Sequence, residues 1–298
     1  MTRSLFTERS YHALSEHARG PSVVDQAAFL RVTVERRASR LRVVVAVSCY
    51  QCGSRSTRPY AEENGFSLVK CRGCGLLYVN PRPSDEEVSE AARTGLHQGA
   101  TAFERIGEFD ERKIRTYLDV LGRLFRDRKD LGPRWLDIGC GHGEFLVALQ
   151  RYAGLDQTLL GIEPSKPKRD SARSRGLNVV DETFRAEPAA FDGISLLNVY
   201  SHLPDPVSAL KDWTAWLKPG GQLLLQTGDS CHLPARYHHK PFELPDHLSF
   251  SNERLVSQVL ERVGLRVVRS VKLRHGAYPG WQFWKHPFRD MWLLAERH

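Results

Sequence analysis

Three glycines at alternate positions constrain this chain more than any other feature. They lie in Trp135-Leu136-Asp137-Ile138-Gly139-Cys140-Gly141-His142-Gly143-Glu144-Phe145. A short apolar run enters the loop and a helical pattern leaves it, which places the loop at the carboxyl edge of an open α/β sheet, where ligands bind. Gly139, Gly141 and Gly143 let the backbone approach a ligand closely, and the helix N-terminus behind them favours an anionic group. The spacing differs from the Gly-x-Gly-x-x-Gly of dinucleotide sites and lacks the Lys-Ser/Thr ending of a P-loop. Glu163 falls at the end of the next expected strand. A carboxylate there would accept both ribose hydroxyls of an adenosine-containing ligand.

The surrounding pattern predicts strands over 134–138, 158–162, 178–180, 193–198, 222–226, 265–272 and 291–296. Helices are expected over 144–152, 166–175, 205–217 and 252–263, with Lys218-Pro219-Gly220-Gly221 as a turn. Such a succession implies an α/β fold with a doubly wound, mostly parallel seven-stranded sheet. Ahead of it, Ser84 and Glu87 form a capping-box pattern for one helix. Ile114, Tyr117, Leu118, Leu121, Leu124 and Phe125 make the apolar stripe of another.

Four of the six cysteines form two Cys-x-x-Cys pairs, Cys49/Cys52 and Cys71/Cys74, with the polar stretch 53–70 between them. Each pair is followed by glycine, and four thiolates supply the closed tetrahedral shell of a structural Zn(2+). A segment this small lacks a core, so the metal would fold it. The expected organisation is an N-terminal extension over 1–45, a zinc ribbon over 46–83, a helical linker over 84–132 and the α/β domain over 133–298.

From about residue 134 onward the chain resembles the class I S-adenosylmethionine-dependent methyltransferases. The resemblance rests on the Leu-Asp-Ile-Gly-Cys-Gly-x-Gly loop, Phe191-Asp192, and Leu217-Lys218-Pro219-Gly220-Gly221. It also rests on His202-Leu203-Pro204-Asp205-Pro206 and Asp246-His247-Leu248-Ser249-Phe250-Ser251. It implies S-adenosyl-L-methionine as methyl donor, with Asp137 near the amino group of its methionine moiety and Cys140 beside it in the loop. Asn198 stands where many members carry Asp, and Asp181 or Glu182 would hold the adenine amino group. The stretch 70–83 resembles the zinc-ribbon leader of bacterial natural-product and sugar methyltransferases. Certain ribosomal RNA methyltransferases also carry a four-ligand zinc module.

Methyl transfer to a hydroxyl or carbon acid needs alignment and removal of a proton. His247 is the first candidate base and His202 the second. The long segment 228–250 carries Arg236, Lys240 and further histidines, so an acidic or phosphorylated small molecule would suit it. Trp281, Phe283 and Trp284 could floor a pocket for a ring. The net charge of +8 keeps an RNA substrate as the alternative, but residues 48–83 hold only five arginines and lysines against two glutamates. Composition is that of a globular protein, with 41% hydrophobic and 26% charged residues. No apolar run approaches the length of about 20 residues that a spanning helix needs. A cytoplasmic protein without membrane partner is expected.

Overall fold

The computed structural model describes residues 43–154, 158–238, 240–274 and 289–298, which belong to one compact unit spanning 43–298. Residues 1–42 of the extension expected over 1–45, and the aromatic residues Trp281, Phe283 and Trp284, lie outside the described residues. The cysteine segment forms β1 (Val44–Val45), β2 (Thr57–Glu63), β3 (Phe66–Cys71), β4 (Leu77–Val79) and β5 (Arg82–Pro83). Strands β2, β3 and β4 make an antiparallel meander, and β1 pairs with β5. The β2–β3 turn is Asn64-Gly65, with φ of 53° and 76°. Positive φ at both positions matches the right-handed twist of the flanking strands, so a two-residue hairpin closes there.

Helix α1 (Asp85–Thr94) starts where the sequence pattern places it: the Ser84 side chain accepts from the Glu87 amide at 3.3 Å. The Glu87 carboxylate does not close the box but takes the Val43 amide instead. A small ladder of β6 (Leu96–His97) and β7 (Phe103–Glu104) follows. Helix α2 (Glu111–Leu124) then buries Ile114, Val120, Leu121 and Leu124.

The alternating part comprises β8 (Arg134–Ile138), α3 (Glu144–Ala153), β9 (Thr158–Ile162), α4 (Lys166–Arg173), β10 (Val179–Val180), β11 (Phe191–Leu197), α5 (Pro206–Thr214) and β12 (Leu217–Asp229). After these come β13 (Ser249–Phe250), α6 (Glu253–Arg262), β14 (Leu265–Arg274) and β15 (Arg289–Arg297). Seven strands line up as β10-β9-β8-β11-β12-β15-β14, with β15 alone antiparallel to both neighbours. One face packs on α5 and α6 and the other on α2 and α3, as the two large apolar clusters show. Successive strands reverse their direction of advance between β8 and β11, and that switch point opens the crevice at the carboxyl edge.

The structure departs from the expected elements in two informative places. The Lys218–Gly221 segment is not a free turn but part of β12, looped out so that residues 218–221 stand opposite Asp192 alone. Asp192 holds this bulge, accepting from Lys218 Nζ at 2.6 Å and from the Arg134 amide at 3.0 Å. Strand β13 is an addition to the expected set. It pairs with β4, Ser249 opposite Tyr78 and Phe250 opposite Leu77, so the cysteine module completes its sheet with a strand from far along the chain.

Gly193 in β11 makes room for the buried Trp135 indole: a Cβ there would lie 2.0 Å from Trp135 Cε3. Gly193→Ala is therefore expected to destabilise the fold by about 1–3 kcal/mol in urea unfolding through overpacking. Gly122→Ala, on α2 with nothing within 4 Å, is the control and should stabilise slightly.

Candidate cofactor site, histidine cluster and metal centre

The loop after β8 is pinned from two sides. A Cβ on Gly139 would sit 2.4 Å from Val199 Cγ2, and one on Gly143 would sit 2.2 Å from Leu177 Cδ1; both glycines have positive φ. Substitution at either would therefore meet strain and collision together. Gly141, also at positive φ, would only touch Glu144 Oε2 at 3.9 Å with a Cβ, and its amide donates to Glu163 Oε2 at 2.8 Å. Glu163 Oε1 accepts the Ser165 amide at 2.9 Å. Each oxygen of this buried carboxylate thus has a lone pair left for another donor.

Asp137 sits at the end of β8 and is also buried. Trp135 Nε1 donates to Ser195 Oγ at 3.1 Å, and the Ser195 hydroxyl donates to Asp137 Oδ1 at 2.6 Å. Burial pushes the Asp137 carboxyl up to about 7, with Glu163 and Glu144 adding to the rise and the Ser195 bond opposing it. Cys140 contributes backbone to the loop, but its thiol packs into the space above Gly161. Asn198 is exposed at the end of β11 with φ 57°, a conformation its short polar side chain tolerates. Asp181 turns its carboxylate onto Thr183, while Glu182 lies 3.6 Å from Arg93.

Two further residues that hold the loop carry no mark in the sequence. His142 bonds Ser171 Oγ at 2.9 Å and the Ile106 carbonyl at 3.0 Å. Glu144, buried at the first position of α3, accepts from the Asp110 amide at 3.1 Å and Lys113 Nζ at 3.3 Å. Both tie the segment between α1 and α2 to the glycine loop. Polar residues inside a glycine motif read as solvent-facing, so no local signal distinguishes these two.

The two candidate bases meet. The rings of His202 and His247 lie 4.6 Å apart, although they come from opposite sides of β12 in the chain. Beside His202 stands Asp246, which the sequence pattern does not single out. Asp246 receives His202 Nδ1 both at its carboxylate (2.9 Å) and at its carbonyl (2.8 Å), and His97 Nε2 lies 3.4 Å from the same carboxylate oxygen. His247 Nδ1 pairs instead with the Phe242 carbonyl at 3.0 Å. Burial disfavours a charged His202, but the Asp246 carboxylate more than offsets this, and His202 is raised above its ordinary value. Burial and the neighbouring His202 push His247 down to about 4. Burial works against Asp246 as an anion too, yet the surrounding imidazoles hold it below the usual carboxylate range.

Cys49, Cys52, Cys71 and Cys74 converge, their four sulfurs lying within 4.8 Å of one another. The two knuckles repeat one geometry. Gly53 donates to the Cys49 carbonyl at 2.7 Å and Gly75 to the Cys71 carbonyl at 3.1 Å, both at positive φ. Four sulfurs on a tetrahedral zinc at about 2.3 Å would stand roughly 3.8 Å apart, so the donor set fits that ion. The knuckles dock on one face of α6: Arg254 reaches the Cys74 carbonyl, Gln258 the Gln51 side chain and Arg262 the Gln51 carbonyl, at 3.2, 3.0 and 3.1 Å. These three residues follow the i, i+4, i+8 spacing of a helix stripe.

Seven strands in this order, wound about a glycine loop, define the class I fold of S-adenosylmethionine-dependent methyltransferases. Residues 108–270, more than half of the chain, match a methyltransferase domain family. The chain belongs to that family. Among curated proteins it is 31% identical over 104 residues to a ubiquinone biosynthesis O-methyltransferase of Xanthomonas campestris pv. campestris (strain B100), covering 32% of this chain and 43% of that protein. The namesake from Sodalis glossinidius is 31% identical over 135 residues, covering 42% and 51%. The chain thus spans about half or less of the length of the curated relatives it matches. Two solved structures share the fold at a TM-score of 0.50. One is a putative sarcosine dimethylglycine methyltransferase from Galdieria sulphuraria (12% identity, covering 62% of this chain and 85% of that one). The other is a geranyl diphosphate methyltransferase in complex with GPP and sinefungin (14% identity, covering 63% and 77%). No helix among the described residues is long and apolar enough to cross a membrane.

The metal centre yields a direct expectation. A strong chelator should lower the thermal midpoint of the whole unit rather than release a separate module, because the knuckles share β13 and α6 with the α/β part. Cys49→Ser should do the same, and metal analysis should return one zinc per chain. A full-height unfolding transition at an unchanged temperature after complete metal removal would contradict this.

Proposed function

We propose that this protein transfers a methyl group from S-adenosylmethionine to a hydroxyl or acidic carbon of a small molecule, with His202 as the general base. The observation that carries this reading is the Asp246–His202 pair. With Nδ1–H donated to Asp246, the imidazole holds the tautomer whose Nε2 carries a free lone pair. Nε2 has no partner among the described residues, and the side chain keeps 24% of its surface exposed. His202 also stands shortly beyond Val199, which packs against Gly139 of the cofactor loop.

In this reading Glu163 accepts the ribose hydroxyls on its free lone pairs. Gly139, Gly141 and Gly143 cradle the ligand, and Asp137 faces the methionine ammonium. S-adenosylmethionine, when bound, would supply the methyl from its sulfonium sulfur, which leaves as the neutral thioether of S-adenosylhomocysteine. His202 Nε2 takes the acceptor's proton as the oxygen or carbon attacks, and Asp246 stabilises the imidazolium that forms. His247, held low, remains neutral beside it and packs the acceptor side. The curated relatives are named O-methyltransferases, which agrees with a hydroxyl acceptor. An RNA substrate gripped by the zinc module is disfavoured, because that module commits a sheet edge to β13 and its knuckles to α6.

His202→Ala should lower kcat by about 10²–10⁴ with S-adenosylhomocysteine affinity nearly intact, and His247→Ala should cost less. Rates for both variants close to wild type, per folded molecule, would remove the histidine base from the mechanism. Asp137 must ionise to face an ammonium, so cofactor affinity should tighten as pH rises through about 7, with protons released on binding. Asp137→Asn should abolish that dependence, and calorimetry in buffers of different ionisation enthalpy reads it. Glu163→Ala should weaken binding at every pH. An affinity unchanged by it would exclude the ribose contact.

A further inference from the structure

We infer that Glu63, at the tip of the β2–β3 hairpin, is a positioning residue for the catalytic base, acting through the loop that carries Asp246. The inference rests on the reading of His202 and Asp246 as the base pair. Its ground is an unusual concentration of bonds. The Glu63 carboxylate accepts three successive backbone amides from the far end of the chain: Phe242 at 2.7 Å on Oε2, and Glu243 and Leu244 at 2.5 and 3.1 Å on Oε1. The next residue on the tip adds a fourth contact, Asn64 Nδ2 donating to the Leu244 carbonyl at 3.1 Å. Asp246 follows just beyond.

Surface carboxylates rarely collect three consecutive amides, because a chain must be bent so that its N–H groups converge, and an anion is what rewards that bend. Glu63 therefore sets the path of 242–244, and that path sets where the Asp246 carboxylate meets His202. Backbone bonds to other elements lie downstream, at Leu248 and Ser251. Upstream of Asp246, Phe242 and Leu244 are buried in the apolar cluster of the cysteine module, the Phe242 carbonyl bonds His247 Nδ1 and Arg105 pairs with Glu243, while the backbone amides of 242–244 go to Glu63. An error of about 1 Å in such a support is enough to cost roughly 10²-fold in rate.

The test is a cycle of Glu63→Gln, Asp246→Asn and the double variant. Cofactor titration counts competent molecules, and the pH profile of kcat/KM is measured for each. Gln keeps one carbonyl oxygen for two of the amides, so the variant folds, but it loses the charge and the acceptor for Phe242. The expected result is a kcat about 10-fold lower, an acid limb moved to lower pH, and S-adenosylhomocysteine affinity within about 2-fold of wild type. The double variant should be no slower than Asp246→Asn alone, since two residues acting through one contact are not additive. Additive losses, or an unmoved pH profile at reduced stability, would show a merely structural role and overturn the inference. Wild-type behaviour of Glu63→Gln beside a slow Asp246→Asn would overturn it while leaving the base reading in place. Wild-type behaviour of Asp246→Asn itself would remove the base reading, and this inference with it.

Discussion

The strip from Asp246 to Ser251 joins the molecule's two larger sheets by backbone hydrogen bonds on both sides. On one side the Val79 amide donates to the Leu248 carbonyl at 2.9 Å, and Ser249 and Phe250 pair with β4. On the other, Leu248 donates to the Ser201 carbonyl at 2.8 Å, and Ser230 and Cys231 both donate to the Ser251 carbonyl at 2.9 and 3.0 Å. A strip so fully paired has little freedom left, and side chains at its start inherit that rigidity. Asp246 and His247 are those side chains. The geometry of the histidine cluster is thus a consequence of sheet pairing and not of a flexible loop.

The alternating half of the fold is legible in the sequence because its signals are local. Trp135 to Ile138 and Leu159 to Ile162 are short apolar runs of the kind that fully buried parallel strands require, and glycine loops and helix patterns bracket them. The four thiolates are legible for the same reason, since knuckle spacing is a local property. What escapes is set by distant partners. A strand as short as β13 has no periodicity to detect, and only β4, from the other end of the described chain, makes it a strand. The Lys218–Gly221 bulge reads as a turn because its glycines and proline are turn residues; the bond from Lys218 to Asp192 draws it into the sheet. Asn64-Gly65 between β-forming runs is a usable hairpin signal that the expected elements above do not include. Asp246 lies inside a recognisable motif, yet a carboxylate beside histidine carries no mark of which imidazole it will orient.

Charge in the cluster decides between the two histidines. One carboxylate can hold one adjacent imidazolium; two rings 4.6 Å apart cannot both be charged in a partly buried site. His202 is bonded to Asp246 and takes the charge, while His247 bonds the Phe242 carbonyl, with the Glu243 carboxylate no nearer than 4.0 Å, and stays neutral down to about 4. The linkage signs follow. His202, raised in the folded state, lends stability below its unfolded value, and that is lost as pH rises through the folded one. Asp246, lowered, lends stability above the ordinary carboxylate range that is lost as pH falls through it. His247, lowered, costs stability increasingly as pH falls from about 6.5 toward 4. Asp137 has the opposite sign to Asp246: raised to about 7, it costs stability increasingly from about pH 4 to 7, and a bound cation would relieve that cost.

That last asymmetry gives the two halves of the site different dependence on their surroundings. The cofactor half is built from β8, β9 and β11, where Trp135, Ser195 and Asp137 form a chain of hydrogen bonds inside a single sheet. Beyond the sheet it leans only on the neighbouring α1–α2 segment and α4, through His142 and Glu144. The histidine cluster is assembled from three separate parts of the chain: His97 between α1 and α2, His202 after β11, and Asp246 beside β13. Its precision depends on the cysteine module, through β4 pairing and the Glu63 carboxylate. A perturbation of the four-cysteine cluster should therefore reach the histidine cluster before the glycine loop. The four-cysteine cluster, remote in sequence from His202 and Asp246, is joined to them in this structure through β4 and the strip that carries β13.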